Sequence, residues 1–401
     1  MTNDGSNPID VAVVGAGPVG LLLAGELAAR GVDVVVLERA DSPSSTPKAN
    51  GIVGHSAVEL ASRGVFNGTE FAVMSPPVFQ FGPLALDLGS GNDNPLHILP
   101  VPQRRLEDLL ETRAVRHGAR IHRGHEVAGF TQDGAGVGID ACAGDGTTEI
   151  RVRFLVGCDG ARSFVRKHAD IGFPGFTGDE ISRIARVRIS ADRMVRTDGG
   201  FEIAGVGEVA AMRMNRLAGG GLTIAPMDVL DRSAPDDLYL ISTREPRGDA
   251  EPGDALSADE LRASLRRVTG AEIPFTDATA IRSTVGNSRL ADAYRRDRVF
   301  LAGDAAHVFN AGGSALNVGL EDAFDLAPRL AAAVRDVSLV GELDGYESVR
   351  RLAGERTLQH TRAQAALARD DEESRAVCEV VGGLTSEREV SRSLARLLES
   401  A

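Results

Sequence analysis

The stretch IDVAVVGAGPVGLLLAGELAARGVDVVVLER, residues 9–39, decides the fold. Its apolar run 11–14 predicts a buried strand, and Gly15, Gly17 and Gly20 follow in G-x-G-x-x-G spacing where a helix begins. Gly15 permits a tight turn, Gly17 lets a pyrophosphate approach the backbone, and Gly20 lets the helix lie close to the sheet. Phosphates would then face the positive N-terminal end of the helix. The stretch therefore predicts a dinucleotide-binding unit.

A second apolar strand, 34–37, leads into Glu38, which stands 18 residues after Gly20. A carboxylate at this distance accepts hydrogen bonds from a ribose diol and would repel a 2′-phosphate, so the unit suits FAD or NAD and not NADP. A lone glycine fingerprint is also found in purely structural turns, but the strand, helix and acid together favour nucleotide binding. The same predicted site includes Pro18, Val19 and Arg39.

The whole chain has the composition of a soluble globular protein. It has 401 residues, enough for two or three domains, and a formal net charge of -13. That charge argues against nucleic acid or an anionic membrane as a partner. The three cysteines and the absence of a signal-like leader predict a cytoplasmic protein, and the histidines show no metal-ligand spacing.

The remaining patterns predict an α/β protein with a discontinuous Rossmann-like nucleotide domain. Turn signals at 133–134 and 145–146 divide a β-meander, and the middle of the chain is mainly strand-like with one helix near 258–268. The predicted division assigns 1–75, 98–170 and 280–340 to the nucleotide domain, 76–97 and 171–279 to an interleaved, mainly β substrate domain, and 341–401 to a helical C-terminal segment.

Two further segments make a family resemblance specific. GCDGARSFVRK, residues 157–167, and LAGDAAH, residues 301–307, accompany the first fingerprint in an order that resembles the class A flavoprotein monooxygenases, the para-hydroxybenzoate hydroxylase fold. Within that class the chain is similar to aromatic polyketide hydroxylases of the angucycline and anthracycline type. The likeness covers residues 8 to about 350. It implies FAD as cofactor and NAD(P)H as electron donor, with NADPH favoured.

The resemblance assigns roles to two acidic pairs. It implies that Gly303 and Asp304 match a pair whose aspartate binds the ribityl chain of FAD. Asp159 and Gly160 match a pair that contacts both FAD and the nicotinamide cofactor. The alternative for Asp159 is a structural role at a turn before glycine.

Other residues are placed near the flavin with their alternatives open. The resemblance puts Gln103 and Lys48 near the flavin phosphates, although Lys48 is equally compatible with a solvated loop cation. His307 is expected to pack at the base of its loop and not to act as a base. No catalytic residue or metal site is predicted.

The loop after His307 departs from the family pattern. Members usually carry Pro-x-Gly-Gly-Gln-Gly-x-Asn, whereas VFNAGGSALN, residues 308–317, is one residue shorter, lacks the proline and has Ser-Ala for Gln-Gly. Farther on, Asp-Leu-Ala-Pro-Arg, 325–329, replaces Asn-Leu-x-Trp-Lys. The resemblance implies that this loop frames the reactive flavin edge, where N–H groups and a helix dipole favour an anionic reduced ring. The implied flavin-framing residues are Gly312, Gly313, Ser314, Ala315, Leu316 and Asn317.

The motifs together favour a monooxygenase that oxygenates a polycyclic aromatic polyketide in natural-product biosynthesis. The resemblance implies that NAD(P)H reduces FAD, that O2 then gives a flavin hydroperoxide, and that one oxygen atom passes to the substrate. One alternative is a flavoenzyme of the same fold with reductive, dehydration or Baeyer-Villiger chemistry. Another is a flavoprotein scaffold without oxygenase activity. A monomer or homodimer is expected, without the thioredoxin-like domain that usually follows in this group.

Overall fold

A computed structural model gives the architecture of residues 9–44, 49–91, 93–144, 146–230, 234–248, 256–310, 314–369 and 371–399. The described residues form two compact units, one from those within 1–175 and 288–401 and the other from those within 176–287.

The first unit combines helices with strands, and the second unit consists mostly of strands. The helices are α1 Pro18–Ala28, α2 His55–Ser62, α3 Gln103–Arg116, α4 Phe164–His168, α5 Met227–Leu230, α6 Ala258–Thr269, α7 Ser314–Arg335, α8 Asp344–Leu367, α9 Glu372–Leu384 and α10 Arg388–Glu399. The strands are β1 Ile9–Val14, β2 Val34–Glu38, β3 Ile52–Val53, β4 Val78–Phe81, β5 Leu84–Asp87, β6 Ile98–Leu99, β7 Arg120–Arg123, β8 His125–Gln132, β9 Val137–Ala143, β10 Gly146–Gly157, β11 Gly175–Arg188, β12 Met194–Thr197, β13 Gly200–Ile203, β14 Gly207–Ala210, β15 Met214–Leu217, β16 Gly220–Pro226, β17 Leu238–Pro246, β18 Thr276–Leu290, β19 Arg295–Arg296, β20 Val299–Leu301 and β21 His307–Val308.

A parallel sheet forms the centre of the first unit. Its order is β19-β20-β10-β1-β2-β7, in which the edge strand β19 is antiparallel to β20, and β9 and β8 continue antiparallel from β10. In the register of β1 with its neighbours, Val13 lies beside Val36 and Val156. All three side chains are buried, because helices cover such sheets on both faces. The sheet places the carboxyl ends of β1, β2, β10 and β20 along one edge.

Helix α1 packs against α3 and α7. Its apolar residues other than the half-buried Val19 are buried in the main core, and so is one carboxylate, Glu26, which is 2% exposed. That carboxylate contacts Arg30 at 2.7 Å and Arg113 at 2.8 Å, and also pairs with Arg63. The three cations compensate the burial of a charge that would otherwise destabilise the helix interface.

The C-terminal helices pack against the hairpin formed by β4 and β5. Their shared core contains Phe81, Leu84, Leu86, Leu367 and Ala395. The division in the structure therefore differs from the predicted one, which assigned 76–97 to the substrate sheet. Alternating apolar residues indicate a strand with one buried face, but they do not indicate which element covers that face.

The second unit is built on an antiparallel sheet. Strands β15, β16, β17, β11 and β18 lie in that order, and β12, β13 and β14 form a smaller sheet. Leu261 and Leu265 of α6 join Leu222, Ile224 and Ile241 of the strands in a separate core. This unit spans 176–287, whereas the predicted middle segment was 171–279. The α/β fold with its parallel sheet, antiparallel sheets and C-terminal helices is as predicted from the sequence.

Candidate active site

A cleft of about 720 Å³ lies at the carboxyl edge of the parallel sheet. Small-molecule sites commonly enclose roughly 300 to 1,000 Å³, and in open α/β sheets they occur at this edge. Many of the residues singled out from the sequence line it together. They are Gly15, Gly17, Pro18, Val19, Glu38, Arg39, Gln103, Asp159, Gly160, Asp304, Ala315 and Leu316.

The three fingerprint glycines lie in different environments. A Cβ at Gly15 would lie 2.4 Å from the Cys158 carbonyl oxygen, and its φ of +105° disfavours other residues. A Cβ at Gly20 would lie 2.1 Å from the Gly15 oxygen, so α1 and the turn could not pack as they do. Gly17 is the N-cap of α1, and apart from its own chain neighbours no heavy atom of the described residues lies within 4 Å of its ideal Cβ. Gly17 is therefore not required by protein packing, and a ligand has open access to its backbone.

Glu38 links the end of β2 to the glycine turn. Its Oε2 accepts a hydrogen bond from the Ala16 N–H at 2.8 Å, and its Oε1 accepts one from the Ala40 N–H at 2.9 Å. The carboxylate therefore lies beside the glycine turn that leads into α1. Both oxygens retain capacity for further hydrogen bonds, because an ionised carboxylate has about four acceptor sites.

Asp159 has one engaged and one unpaired carboxylate oxygen. Oδ2 accepts hydrogen bonds from the Phe164 N–H at 2.6 Å and the Val165 N–H at 3.1 Å, which satisfies the N-terminus of α4. Oδ1 is buried, and no partner for it exists among the described residues. The structural alternative therefore accounts for only half of this side chain. The buried acceptor is suited to a donor on a bound ligand.

Gly303 begins a 3₁₀ turn that carries Asp304 into the cleft lining. The φ of Gly303 is +62°, and a Cβ would lie 3.0 Å from the Val19 side chain. Its N–H donates to Asp322 Oδ2 at 2.9 Å. Asp322 is therefore connected to the cleft through the backbone of this turn.

A buried charge network surrounds Asp322 of α7. His307 Nε2 lies 2.7 Å from Oδ2, and Arg350 Nε donates to Oδ1 at 2.8 Å. Asp322 and His307 are fully buried and Arg350 is 6% exposed. Burial raises the pKa of Asp322, but the neighbouring His307 and Arg350 outweigh it and hold that pKa below the usual value. The carboxylate is therefore ionised, and His307 lies in its network.

Several of the residues named from the sequence lie away from the cleft lining. Asn317 is 4% exposed, and its Oδ1 accepts from the Val53 N–H at 3.0 Å, so it joins α7 to β3. Gln103, in contrast, belongs to the lining, where its Oε1 accepts from the Ala49 N–H and its Nε2 donates to Glu107. Gly20 and Gly303 support the turns behind the lining. Lys48, Gly312 and Gly313 lie outside the described residues, as does the side chain of Ser314.

The sequence profile of the family described as "FAD binding domain" matches residues 8–361. The chain belongs to this family. A 12-dehydrotetracycline 5-monooxygenase/anhydrotetracycline 6-monooxygenase of Streptomyces rimosus subsp. rimosus is 33% identical over 98% of this chain and 76% of its own length. The crystal structure of CabE, an aromatic hydroxylase from angucycline biosynthesis, is 31% identical with a TM-score of 0.83. It covers 98% of this chain and 76% of that one.

Another similar structure belongs to an enzyme that is named for a different type of reaction. The Diels-Alderase PyrE3 from the biosynthetic pathway of pyrroindomycins is 31% identical with a TM-score of 0.84, over 98% of this chain and 80% of that one. The protein is nevertheless an FAD-dependent monooxygenase by its family and its monooxygenase relatives, as the resemblance implied. The predicted FAD cofactor is confirmed by the family match.

Two features of the cleft are compatible with bound FAD. The space over Gly17 would be filled by any larger side chain, and Asp159 presents a buried acceptor without a donor. The sequence did not indicate the cleft residues His125, Glu126 and Arg162. The first two lie on a strand of the meander, whose alternation does not show which end reaches a ligand.

Among the described residues, no group of three or more His, Cys, Asp and Glu side chains is arranged to hold a metal ion. Within the same part of the chain, every helix is too short or too polar to span a lipid bilayer.

Removing the Glu38 carboxylate should weaken FAD binding without unfolding the protein. We expect Glu38→Ala to raise the Kd for FAD about ten- to a hundredfold, because hydrogen bonds to a charged group contribute about 1.5 to 3 kcal/mol. Equilibrium titration of the apoprotein with FAD measures this. Asp33→Ala is the matched control, since its carboxylate lies in the same βαβ unit but pairs with Arg120 at 2.6 Å outside the cleft lining. An unchanged Kd for Glu38→Ala would show that the carboxylate does not hold the cofactor.

Proposed function

We propose that this enzyme uses NAD(P)H and O2 to hydroxylate a polycyclic aromatic polyketide during natural-product biosynthesis. The likeness to an angucycline hydroxylase and to a tetracycline monooxygenase supports this substrate class. The observation that carries the redox part is the cleft at the carboxyl edge of the sheet, with its open approach to Gly17 and its unpaired Asp159 acceptor.

The residues of the cleft have separable tasks in this proposal. The backbone around Gly17 and the N-terminus of α1 would hold the pyrophosphate, and Glu38 would accept from the adenosine ribose. Asp304 would hold the ribityl chain, and Asp159 would accept a donor through Oδ1. FAD, when bound, supplies the electron transfer and oxygen activation. The protein orients the substrate and excludes water, which limits loss of reducing equivalents to hydrogen peroxide.

The second unit offers a surface suited to an oxygenated aromatic molecule. On β11, residues 181, 183, 185 and 187 are buried on one face, while Ile184 and Arg186 project from the opposite face and are half-buried. Arg186 lies directly across from Leu240 of β17, which is also half-buried. Directly opposed residues project to the same face of a sheet. This face therefore combines apolar side chains with a cation.

A second cation lies close to the first. Burial lowers the pKa of Arg282 on β18, and the charge of Arg186 lowers it further. The Nε of Arg186 is buried and has no hydrogen-bond partner among the described residues. Two neighbouring guanidinium groups repel each other and are stabilised by a ligand that brings phenolate or quinone oxygens. We propose that this pair orients the polar edge of the aromatic substrate.

Arg186→Met should therefore impair substrate binding and leave the cofactor in place. We expect KM for a phenolic polycyclic substrate to rise about tenfold or more, because one charge-assisted hydrogen bond is lost. Bound FAD per chain should stay as in the parent enzyme. Arg188→Met is the control, because it lies on the same strand and face but pairs with Asp237. If Arg186→Met instead releases FAD, or changes KM no more than the control, the pair does not orient substrate.

The reaction itself is tested with a panel of angucyclinones and anthracyclinones under labelled oxygen. We expect product heavier by one labelled oxygen atom, with NAD(P)H oxidation coupled to its formation. Coupling requires the shortened 307–317 loop to present donors to the flavin despite its Ser-Ala pair. A ratio near one of hydrogen peroxide released to NAD(P)H consumed, with every substrate, would contradict the proposal. Conversion of a panel member without oxygen uptake would instead favour chemistry like that of the Diels-Alderase relative.

A further inference from the structure

The C-terminal helices enclose a second pocket of about 750 Å³. Its walls come from α8, α9 and α10, and from Phe81 of β4. It shares no lining residue with the cleft at the glycine turn. Most of its lining is apolar and includes Phe81, Ala363, Leu367, Val377, Val381 and Leu394. Its volume lies within the range of sites for drug-sized molecules.

One polar side chain in this lining is unsatisfied. His360 is 6% exposed, and its Nδ1 lies 3.1 Å from Gln364 Nε2. The amide orientation of Gln364 is fixed, because its Oε1 accepts from the Gly82 N–H at 3.0 Å. Gln364 Nε2 must therefore donate to Nδ1, which puts the imidazole proton on Nε2. That Nε2 is buried and lacks a hydrogen-bond partner among the described residues.

The ring is a neutral donor at physiological pH. Burial lowers the pKa of His360 to about 4, so the imidazole carries a single proton. A buried N–H without an acceptor is costly, and such groups in folded proteins usually bond to protein, water or ligand. The Nε2–H of His360 is thus the one buried donor of the described lining that a ligand acceptor would satisfy.

The rest of the pocket favours a neutral occupant. Its two charged lining residues, Arg356 and Glu373, are exposed and opposite in sign, so they select neither an anion nor a cation. Helix α9 has no buried residue, and Val377 is 53% exposed, so apolar surface remains to be covered. We infer that this pocket binds a neutral, mostly apolar molecule whose acceptor, a carbonyl or phenol oxygen, bonds to His360 Nε2–H. The inference goes beyond the proposed reaction and does not depend on it.

Nile red, a neutral polycyclic dye with a carbonyl acceptor, tests the pocket in the FAD-loaded 401-residue enzyme. We expect saturable binding with enhanced fluorescence, weakened at least about tenfold by Val377→Asp, which puts a charge in the apolar lining. Val380→Asp is the matched control, because it lies on the same helix, is 68% exposed and is not in the lining. Equal affinity for both variants and the parent would overturn the inference. So would a change in oligomeric state with Val377→Asp alone, since a second copy would then be the occupant.

The role of His360 is tested by displacement of the dye with 9-fluorenone and with fluorene, which lacks the carbonyl. The parent should prefer fluorenone, and His360→Phe should reduce that preference about five- to tenfold while keeping the affinity for fluorene. Circular dichroism and bound FAD confirm that this variant is folded. An unchanged preference in a folded variant would overturn the assignment of His360.

Discussion

Replacing Gly17 with valine should abolish FAD binding while the protein remains folded. Its backbone, φ −78° and ψ 177°, is accessible to any residue, and beyond its chain neighbours the new Cβ has no described protein atom within 4 Å. We expect destabilisation of no more than about 1 kcal/mol, the usual scale for a poor N-cap. The branched side chain would occupy the space through which the pyrophosphate reaches the backbone. A Kd for FAD at least ~1,000-fold higher is therefore expected.

Two other glycine variants serve as comparisons for Gly17→Val. Gly134→Val, at a turn where a Cβ likewise has no described atom within 4 Å beyond its chain neighbours, should leave both stability and FAD content unchanged. Gly15→Val should destabilise the fold itself, because its Cβ would lie 2.4 Å from a backbone oxygen at positive φ. Flavin content and thermal unfolding of the three variants separate these effects. Near-normal flavin in Gly17→Val would place the cofactor elsewhere.

Asp322→Ala should cause the largest loss of stability, about 3 to 5 kcal/mol, because it leaves Arg350 buried without its carboxylate. It also removes the acceptor of the Gly303 N–H, so the turn that carries Asp304 should bind FAD less tightly. Asp325→Ala on the same helix is the control. Its pair with Arg329 is partly exposed and should contribute no more than about 0.5 kcal/mol.

The contribution of the Asp322 carboxylate to stability should decrease at acidic pH. Its folded-state pKa is lower than the ordinary value of 3.8, so its contribution is complete well above that pH. The contribution is lost as the pH falls below 3.8 through the folded pKa. Denaturant unfolding of parent and variant at pH 7 and in acid measures the change. A difference that grows on acidification, or one no larger than for Asp325→Ala, would contradict the charged network.

Features that depend on local chain geometry were predictable from the sequence. The spacing of Gly15, Gly17 and Gly20 between a buried strand and a helix requires a turn with close backbone contacts, and the structure has one. Glu38 was assigned to the same nucleotide-binding unit from its spacing of 18 residues after Gly20, and in the structure it accepts a hydrogen bond from Ala16 of the turn. The family resemblance then supplied the cofactor, which local geometry alone left as FAD or NAD.

Features that depend on long-range packing were not predictable in this way. Asp322 is indistinguishable in sequence from the exposed acids of an amphipathic helix, yet it is bonded to Arg350 and to the Gly303 turn. Glu26 likewise lies on an apolar helix, and its cations come from three separate parts of the first unit. That one oxygen of Asp159 is unpaired likewise depends on which groups the fold brings next to it. Such pairings require the tertiary arrangement, since no local period encodes them.

Single-turnover oxygenation tests the central claim most directly. The FAD-loaded enzyme is reduced without oxygen by a limiting amount of NAD(P)H. It is then mixed with an angucyclinone or anthracyclinone that it oxygenates in steady-state assays, and exposed to labelled O2. We predict close to one labelled product molecule for each reduced FAD, with little hydrogen peroxide. Complete reoxidation of FAD with hydrogen peroxide as the sole oxygen product, for every member of the panel, would contradict it.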